Sequence, residues 1–389
     1  MKTTNLIWLI ILLAITAFGG CKQTVTQEDD FITVDVTAKY PHKKLFLQDF
    51  MDVEYIPLET TDEFVCQGIT RAVGKEIIIV TNQNNDDGNI FIFNRNGKAL
   101  KKINHKGQGG EEYTSISRLI LDEENGEILI NSGYAKKILV YDLEGNFKRR
   151  LSVKEDLLLF NMYNFNRDNL ICHDATNENS TRIINTGQSF MLISKQDGSI
   201  SKEIQIPFKE KKSIVTSFKD ETSGMYHAFL PSTIYPIVPY FNDFILLEHS
   251  ADTLYRYSPD QTMKPFIVRT PSIQSMNPDG YLFLSMFTDR YYFMETFIKG
   301  SGYQDDLIYD KQEKALFRYK VYNNDYTNNK EAFLKSTPLN GEIPSCQYLE
   351  ASELVQEYER GRLKGKLKEI ASKLDTEDNP VIMLIKHKK

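Results

Sequence analysis

The sequence is poor in the residues that most often mark metal-binding or disulfide-rich proteins. Its 389 residues include four cysteines, six histidines and a single tryptophan, Trp8. Cys66, Cys172 and Cys346 are widely spaced and form no C-x-x-C motif, which excludes a zinc site of the usual spacing and a dense disulfide framework. The sequence alone leaves open whether two of these three cysteines form a disulfide.

Other absences narrow the classes of function further. The net charge is −6 and no long basic run occurs, so we expect no nucleic-acid partner. The Gly-Gln-Gly-Gly stretch at 107–110 lacks the Lys-Ser/Thr pair of a phosphate-binding loop, and no Gly-x-Ser-x-Gly motif is present. We therefore predict no catalytic residue, no bound metal and no cofactor.

The N-terminus has the pattern of an export signal over residues 1–20. Lys2 precedes an apolar run at 6–18, which is too short to remain as a transmembrane helix. The four residues 18–21, Phe-Gly-Gly-Cys, resemble the bacterial lipobox. That resemblance implies lipidation of Cys21, and several acyl chains would hold the protein stably on a membrane. The alternative is a conventional signal peptide that ends beside a free cysteine.

Residues 21–30 are predicted to be a flexible tether between the membrane and the folded domain. They are polar and end in Glu28-Asp29-Asp30. Acidic residues behind the lipidated cysteine resemble the surface-export signal of Bacteroidetes lipoproteins, whereas a solvated tether explains them equally well. We expect a protein of the bacterial cell envelope that is anchored in the outer membrane. The sequence leaves open whether it faces the periplasm or the cell surface.

A strand–turn–strand phrase recurs along the chain and indicates repeated β structure. Short apolar runs separated by Gly, Asn and Asp are typical of strands joined by hairpins. The clearest copies lie at 89–98, 137–146 and 190–199, and their turn glycines, Gly97, Gly145 and Gly198, are 48 and 53 residues apart. Two weaker copies lie at 253–260 and 306–313.

A period near 50 residues built only from strands predicts the blades of a β-propeller, with four strands in each blade. Five copies and one blade completed by the two ends of the chain give six blades. The closing strands would be 53–58 and 380–385. We therefore predict an all-β, six-bladed propeller that extends over residues 31–389.

One stretch departs from the β pattern and predicts a helix over about 350–374. Leu363, Leu367, Ile370 and Leu374 share one helical face, and the remaining positions are rich in charge. Such a distribution predicts a C-terminal amphipathic helix packed on the propeller.

Two groups of residues carry a resemblance to known propellers. Residues 90–122 resemble an NHL-type blade, and the whole chain is similar to the six-bladed propeller lipoproteins of gut Bacteroidetes, including the segments at 55–59 and 378–381. The resemblance implies the fold and an envelope location. Its motifs are architectural, so it implies no particular activity.

Candidate ligand-binding residues are aromatic, histidine and charged residues in or beside the loops that connect predicted strands. Aromatic faces and planar cations suit sugars or peptide segments. The alternative for each aromatic residue is that it only fills a contact between blades. The candidates are Tyr134, Lys136, His173, His227, Tyr235, His249, Arg290, Tyr291 and Tyr292.

These observations favour a lipid-anchored, non-catalytic module that binds a glycan, a peptide or a protein, in the context of nutrient uptake. An enzyme is the alternative: a metal-dependent lyase or hydrolase of the NHL-like propeller type. A cluster of His173, His227 or His249 with a carboxylate within coordinating reach would favour this alternative. A third possibility is a scaffold without a small-molecule site, which we expect if apolar side chains plug the channel mouths.

Overall fold

The computed structural model describes residues 31–83, 87–179, 183–184, 186–219, 225–229, 235–300 and 303–388. The predicted signal peptide and tether, with Cys21, lie outside these ranges. The described part of the chain forms six sheets that surround a central channel, and the prediction of an all-β, six-bladed propeller is confirmed.

Blades 1 to 3 follow one another along the chain, and each is a four-stranded antiparallel sheet in sequential order. Blade 1 contains β4 (Ile69–Val73), β5 (Ile77–Thr81), β6 (Ile90–Asn94) and β7 (Ala99–Ile103). Blade 2 contains β8 (Arg118–Asp122), β9 (Glu127–Ser132), β10 (Lys137–Asp142) and β11 (Phe147–Ser152). Blade 3 contains β12 (Leu159–Asn164), β13 (Asn169–Asp174), β14 (Phe190–Ser194) and β15 (Ile200–Ile204).

Blades 4 to 6 also use strands from the start of the chain. Blade 4 contains β18 (Ile237–Tyr240), β19 (Asp243–Leu246), β20 (Thr253–Tyr257), β21 (Met263–Thr270) and the added β1 (Ile32–Asp35). Blade 5 contains β22 (Gly280–Phe287), β23 (Tyr291–Ile298), β24 (Tyr303–Asp310), β25 (Ala315–Tyr322) and the added β2 (His42–Phe46). Blade 6 contains β26 (Ser345–Leu349), β27 (Val381–His387) and β3 (Met51–Pro57). A separate hairpin, β16 (Thr216–Lys219) and β17 (Tyr226–Phe229), lies between blades 3 and 4 in the sequence.

The first strand of each blade lies closest to the channel. These inner strands contact one another around it: β26 contacts β4, β4 contacts β8, β8 contacts β12, and β18 contacts β22. The recurring phrase of the sequence corresponds to the third strand of a blade and the turn that follows it. Its five copies fall on β6, β10, β14, β20 and β24.

The repeated glycine has a physical reason in the packing of one blade on the next. Gly97, Gly145 and Gly198 all have positive φ angles, of 82°, 88° and 86°, which glycine adopts without steric cost. Each turn also lies against the preceding blade. A Cβ atom on Gly97 would stand 1.9 Å from the Pro57 carbonyl oxygen of blade 6.

The core is divided into layers, each between two neighbouring blades. Apolar side chains of blades 1 and 2 form one cluster, those of blades 2 and 3 the next, and so on around the ring. The last cluster joins Ile382 and Leu384 of blade 6 to Ile78 and Phe91 of blade 1. Apolar burial therefore continues around the ring without a break.

The first described residues run along the outside of three consecutive blades. We call residues 32–57 the N-terminal belt. β1 pairs in parallel with β21, β2 pairs in parallel with β25, and β3 pairs antiparallel with β27. The helix α1 (Leu47–Phe50) connects β2 to β3. The belt thus supplies the outermost strand to blades 4, 5 and 6, and each of these edges is covered.

The stretch predicted as one helix over 350–374 is two helices, α2 (Ala351–Glu359) and α3 (Gly365–Ala371). A Schellman motif ends α2: Gly361 has a φ of 66°, and Arg362 N–H donates to the Glu357 carbonyl at 2.9 Å. The predicted helix is therefore corrected in its extent. Leu363, Leu367 and Ile370 are buried against blades 5 and 6, as their spacing predicts.

The three cysteines within the described ranges, Cys66, Cys172 and Cys346, are free thiols. Burial raises the pKa of the Cys66 thiol to about 11 and that of Cys346 to about 12. No helix in the described part of the chain is both long and apolar enough to span a membrane.

Candidate functional site

A segment of the chain itself passes across the central channel. Residues 334–341, which we call the channel segment, contain neither helix nor strand. Several hydrogen bonds connect this segment to the ring. They include those from Ser285 Oγ to the Leu334 carbonyl (2.9 Å), from Tyr235 OH to the Lys335 carbonyl (2.8 Å), from Tyr163 OH to the Pro338 carbonyl (3.1 Å), and from Asn340 Nδ2 to the Val73 carbonyl (3.3 Å). The channel is thereby divided into two cavities.

The larger cavity opens at one face of the propeller and has a volume of about 480 Å³. The turns between the first and second strands of blades 1 to 4 surround this opening, which we call the mouth cavity. Its walls combine apolar residues with charged and amide side chains. The lining includes Arg71, Arg118, Asp122, Glu123, Glu124, Tyr163, Lys195, Phe241, Asn242 and Asn340.

A smaller cavity of about 210 Å³ lies on the other side of the channel segment. Ser336, Thr337 and Gln347 line it. Arg71 and Arg118 border both cavities, so the two arginines lie between them at the floor of the mouth cavity.

The orientation of the Arg71 side chain depends on a β-bulge in β4, the first strand of blade 1. The register between β4 and β5 shifts between Thr70 and Ala72, and such a bulge re-aims the side chain of the extra residue. Arg71 Nε donates to Thr81 Oγ1 at 2.7 Å. Burial, together with the positive charge of Arg118, lowers the pKa of Arg71 to about 10.

Arg118 begins the first strand of blade 2 and reaches across to blade 3. Its Nε donates to the Met162 carbonyl at 3.2 Å, and its guanidinium lies over the Tyr163 ring, 4.6 Å from the centroid. Both partners are uncharged. Among the described carboxylates, none forms an ion pair with Arg118, although several pair with other arginines.

The wall of the mouth cavity contains a buried ion pair between blades 2 and 3. Lys195 Nζ lies 2.6 Å from Asp122 Oδ2, and only 3% and 4% of the two side chains are exposed. Lys195 Nζ also donates to the Asn166 carbonyl at 2.8 Å. The charges of Lys195 and Asp122 thus compensate each other.

Two of the predicted histidines meet at a different place. His173 lies near the end of β13, the second strand of blade 3, and His249 lies just after β19, the second strand of blade 4. Their rings approach one carboxylate: Glu178 Oε1 is 3.7 Å from His173 Nδ1 and 3.3 Å from His249 Nε2. Burial lowers the pKa of His173, which favours its neutral form.

This histidine cluster is an internal feature of the interface between blades 3 and 4. Its cavity measures about 20 Å³, which is room for about one water molecule. Lys211, paired with Glu248 at 2.8 Å, also lines it. Within the described ranges, no group of three His, Cys, Asp or Glu side chains is arranged to hold a metal ion.

The predicted residues Arg290, Tyr291 and Tyr292 lie in blade 5, away from the mouth cavity. Arg290 Nη2 pairs with Asp310 Oδ2 at 3.1 Å, and Lys43 of the N-terminal belt pairs with the same oxygen at 2.6 Å. Burial raises the pKa of Asp310, but these two cations outweigh that effect and bring it to about 2.

Tyr291 and Tyr292 fill contacts between elements. Tyr291 packs edge-on against Phe50 of the belt, with centroids 5.1 Å apart. Tyr292 lies 8% exposed between blades 4 and 5, where it packs against Phe266 and Phe287. Their positions correspond to the packing alternative stated for these aromatic residues.

The remaining candidate ligand-binding residues do not come together at one site among the described residues. Tyr235 contacts the channel segment. Lys136 is exposed at the end of a 3₁₀ turn (Gly133–Ala135), and its Nζ donates to the Glu155 carbonyl. Tyr134 belongs to that turn and His227 to β17, and the side chains of both lie outside what the structure describes, as does the whole of Cys21.

Sequence reasoning missed Arg71 and Arg118, although a signal for them exists. They are 47 residues apart and lie 26 and 27 residues before Gly97 and Gly145, so they occupy nearly the same place in successive repeats. Arg71 interrupts an apolar run, and Arg118 precedes one. Aligning the repeats on the turn glycines would have placed both arginines on inner strands.

Comparisons with known proteins agree with this architecture. A family model described as "Domain of unknown function (DUF4934)" matches residues 31–386. None of the curated proteins matches the sequence.

Several solved structures are similar to the chain. A protein from Bacteroides fragilis described as exported has 16% identity and a TM-score of 0.58, over 92% of this chain and 100% of its own. A member of the DUF4221 family from Bacteroides vulgatus has 10% identity and a TM-score of 0.42, over 87% and 98%. The virginiamycin B lyase of Staphylococcus aureus has 14% identity and a TM-score of 0.34, over 69% and 88%. The first similarity is one of fold, and we base no argument on the other two.

Proposed function

The chain belongs to the DUF4934 family, and we propose that it is a non-catalytic binding module of the bacterial envelope, which holds its ligand in the mouth cavity of the propeller. The observation that carries this proposal is the cavity itself. Its volume of about 480 Å³ lies within the range of about 300–1,000 Å³ that is usual for small-molecule sites.

The lining of the mouth cavity suits a glycan or a short peptide segment. Phe241 lines it and is 42% exposed, so its ring is available to a ligand. Aromatic faces pack on the apolar faces of sugar rings, while amides such as Asn242 and Asn340 provide donors and acceptors. Nutrient capture at the cell envelope is the role that this combination supports.

We place the protein on the outer membrane through lipidated Cys21. The short apolar run followed by Gly19-Gly20-Cys21 supports export and anchoring, and the similar Bacteroides fragilis structure is described as that of an exported protein. The belt begins at Ile32 on blade 4, so a tether of about ten residues would connect that blade to the membrane surface.

The enzyme alternative, a metal-dependent lyase or hydrolase, has weaker support. Its candidate histidines, His173 and His249, converge on Glu178 in a cavity of about 20 Å³ that has no room for a substrate. We therefore argue for binding rather than for catalysis.

A mouth-blocking variant tests the proposal. Asn242 is exposed in the turn between β18 and β19 and lines the cavity, so Asn242→Trp should obstruct the opening without disturbing the core. A thermal-shift screen of oligosaccharides and short peptides on the purified protein would identify a ligand, and calorimetry would measure its Kd. We expect Asn242→Trp to weaken binding at least about tenfold, or about 1.4 kcal/mol.

The matched control is Lys264→Trp, which adds the same side chain at an exposed position of β21 on the rim of the propeller. Binding should be unchanged in this variant. A ligand that binds equally well to the wild type and to Asn242→Trp would show that the site lies elsewhere.

A further inference from the structure

Arg71 and Arg118 form a cluster of positive charge at the floor of the mouth cavity. They come from the inner strands of neighbouring blades and border the cavities on both sides of the channel segment. They are close enough that the charge of Arg118 contributes to lowering the pKa of Arg71. Two like charges held together in a partly buried place repel each other, and an anion between them would remove that repulsion.

Several cations of the interior pair with carboxylates. Lys195 pairs with Asp122, Lys211 with Glu248, and Arg149 with Glu127, with N–O distances of 2.6, 2.8 and 2.7 Å. Burial lowers the pKa of Arg269, which is 3% exposed, to about 10, and the negative charges of Asp252, Asp279 and Asp35 oppose this shift.

Arg118 differs from these cations. Its partners are a carbonyl oxygen and an aromatic ring, and no described carboxylate forms an ion pair with it. The bond to Met162 uses one of the five N–H donors of the guanidinium. A positive group of this kind beside an open cavity is suited to an oxyanion, which a guanidinium can hold with two parallel hydrogen bonds.

We propose that Arg71 and Arg118 bind an anionic group of the ligand, a carboxylate or a sulfate or phosphate oxyanion, at the floor of the mouth cavity. This inference rests on the proposed function, since it names the chemical class of the ligand for the same cavity. It adds an orientation: the anionic end points toward the channel segment and the rest of the ligand faces the opening.

The opening of the mouth cavity limits the number of negative charges that the ligand can have. Glu123 and Glu124 lie on the turn between β8 and β9 at the opening and are exposed. Their negative charges would repel a second anionic group of the ligand at the opening of the cavity. The cavity therefore fits a ligand with one anionic group and an otherwise neutral body, such as an acidic sugar.

A matched pair of probes tests this chemistry. Glucuronate and glucose share a sugar ring and differ by the carboxylate, while phosphate and sulfate supply the tetrahedral oxyanions. At about 50 mM, we expect glucuronate or one of the inorganic oxyanions to raise the Tm of the protein by about 3 °C, and glucose or sodium chloride of equal ionic strength to leave it unchanged. The probe that acts distinguishes a carboxylate site from a phosphate or sulfate site.

Substitutions of the two arginines test whether they cause the rise in Tm with an oxyanion. Arg118→Gln and Arg71→Gln should each weaken anion binding at least about tenfold. Arg118→Lys keeps the charge but loses the planar fork, so it should retain a weaker response. Arg150→Gln is the matched control, because Arg150 is exposed on the outermost strand of blade 2, and it should bind as the wild type does. The Tm without a probe shows that each variant is folded.

The outcomes separate this inference from the proposed function. An unchanged anion response in folded Arg118→Gln and Arg71→Gln, or no response to any of the oxyanions, would overturn the anion site. A neutral ligand whose binding is lost in Asn242→Trp but kept in Arg118→Gln would do the same while leaving the binding function intact. Oxyanion binding lost in the arginine variants and unchanged in Asn242→Trp would instead support the anion site and contradict ligand entry by the mouth.

Discussion

Lys195 and Asp122 face each other between blades 2 and 3 and are almost fully withdrawn from solvent. Asp122 Oδ2 also accepts a hydrogen bond from Asn125 Nδ2 at 2.8 Å. A buried ion pair adds little net stability compared with an apolar pair, because both ions lose their hydration. Removing one partner, however, leaves an uncompensated charge in the interior.

Lys195→Met should therefore lower the free energy of unfolding by about 3–5 kcal/mol, because Asp122 loses its counter-charge. The double variant Lys195→Met/Asp122→Leu should recover much of that loss. Urea denaturation of both proteins measures the effect. Lys202→Met, at an exposed position on β15, is the control and should stay within about 0.5 kcal/mol of the wild type. Equal stability of the single and double variants would contradict this account of the pair.

Contacts of this kind lie beyond what the sequence alone predicts. Lys195 and Asp122 are 73 residues apart, and Arg71 and Arg118 meet only because their strands are neighbours around the channel. Local patterns identify which residues are apolar or turn-forming. They carry no information about which polar side chains of separate blades converge, and that convergence defines the candidate site.

At the scale of elements, the strongest sequence signal was the third strand with its turn. That signal is local: a short apolar run followed by a turn marks one strand in each of the first five blades, and in blades 1 to 3 the turn has a glycine at positive φ. The N-terminal belt has no such turn. β1 and β2 join blades 4 and 5 in parallel, through pairings with distant strands, and the sequence analysis did not anticipate them.

The sequence analysis did not predict the channel segment, because its sequence, Leu-Lys-Ser-Thr-Pro-Leu-Asn-Gly, has neither helical nor strand periodicity. Its fit in the channel depends on close backbone contact. A Cβ atom on Gly341 would stand 1.8 Å from the Phe241 carbonyl oxygen, at the edge of the mouth cavity. Only glycine allows this approach between the segment and blade 4.

We therefore expect Gly341→Ala to displace the segment from blade 4 and to reduce stability by about 1–3 kcal/mol, the usual cost of forcing extra volume into a packed site. Chemical denaturation measures the change. Gly110→Ala provides the control, since an added Cβ there would meet no atom within 4 Å. Identical stability of the two variants would show that the segment is not held by this contact.

For the whole molecule, the period of the repeat was sufficient to predict the class of fold and the number of blades. Six core layers between six blades account for its stability, and each layer uses side chains that the apolar runs already marked. We propose that residues outside this ring, at the N-terminus, determine the location of the molecule.

Replacing the proposed lipidation site tests that location. Cys21→Ser should move the protein from the membrane fraction to the soluble fraction, because no acyl chains would be attached. Fractionation of cells of the native host followed by immunodetection measures this distribution. Cys346→Ser keeps the anchor and should stay with the membranes. Membrane retention of Cys21→Ser would contradict anchoring through this residue.

The N-terminal belt has a consequence for the order in which the molecule is completed. Its strands are among the earliest of the domain to be synthesised, yet their partners come late: Ile32 pairs with Ile267, His42 with Arg318, and Met51 with His387. Pairings so distant in the chain form slowly, because a long loop must close first. Blades 1 to 3 can assemble from neighbouring strands, but the belt has no partners until the later strands are available. The ring therefore closes only when the late strand β27 pairs with the early strand β3.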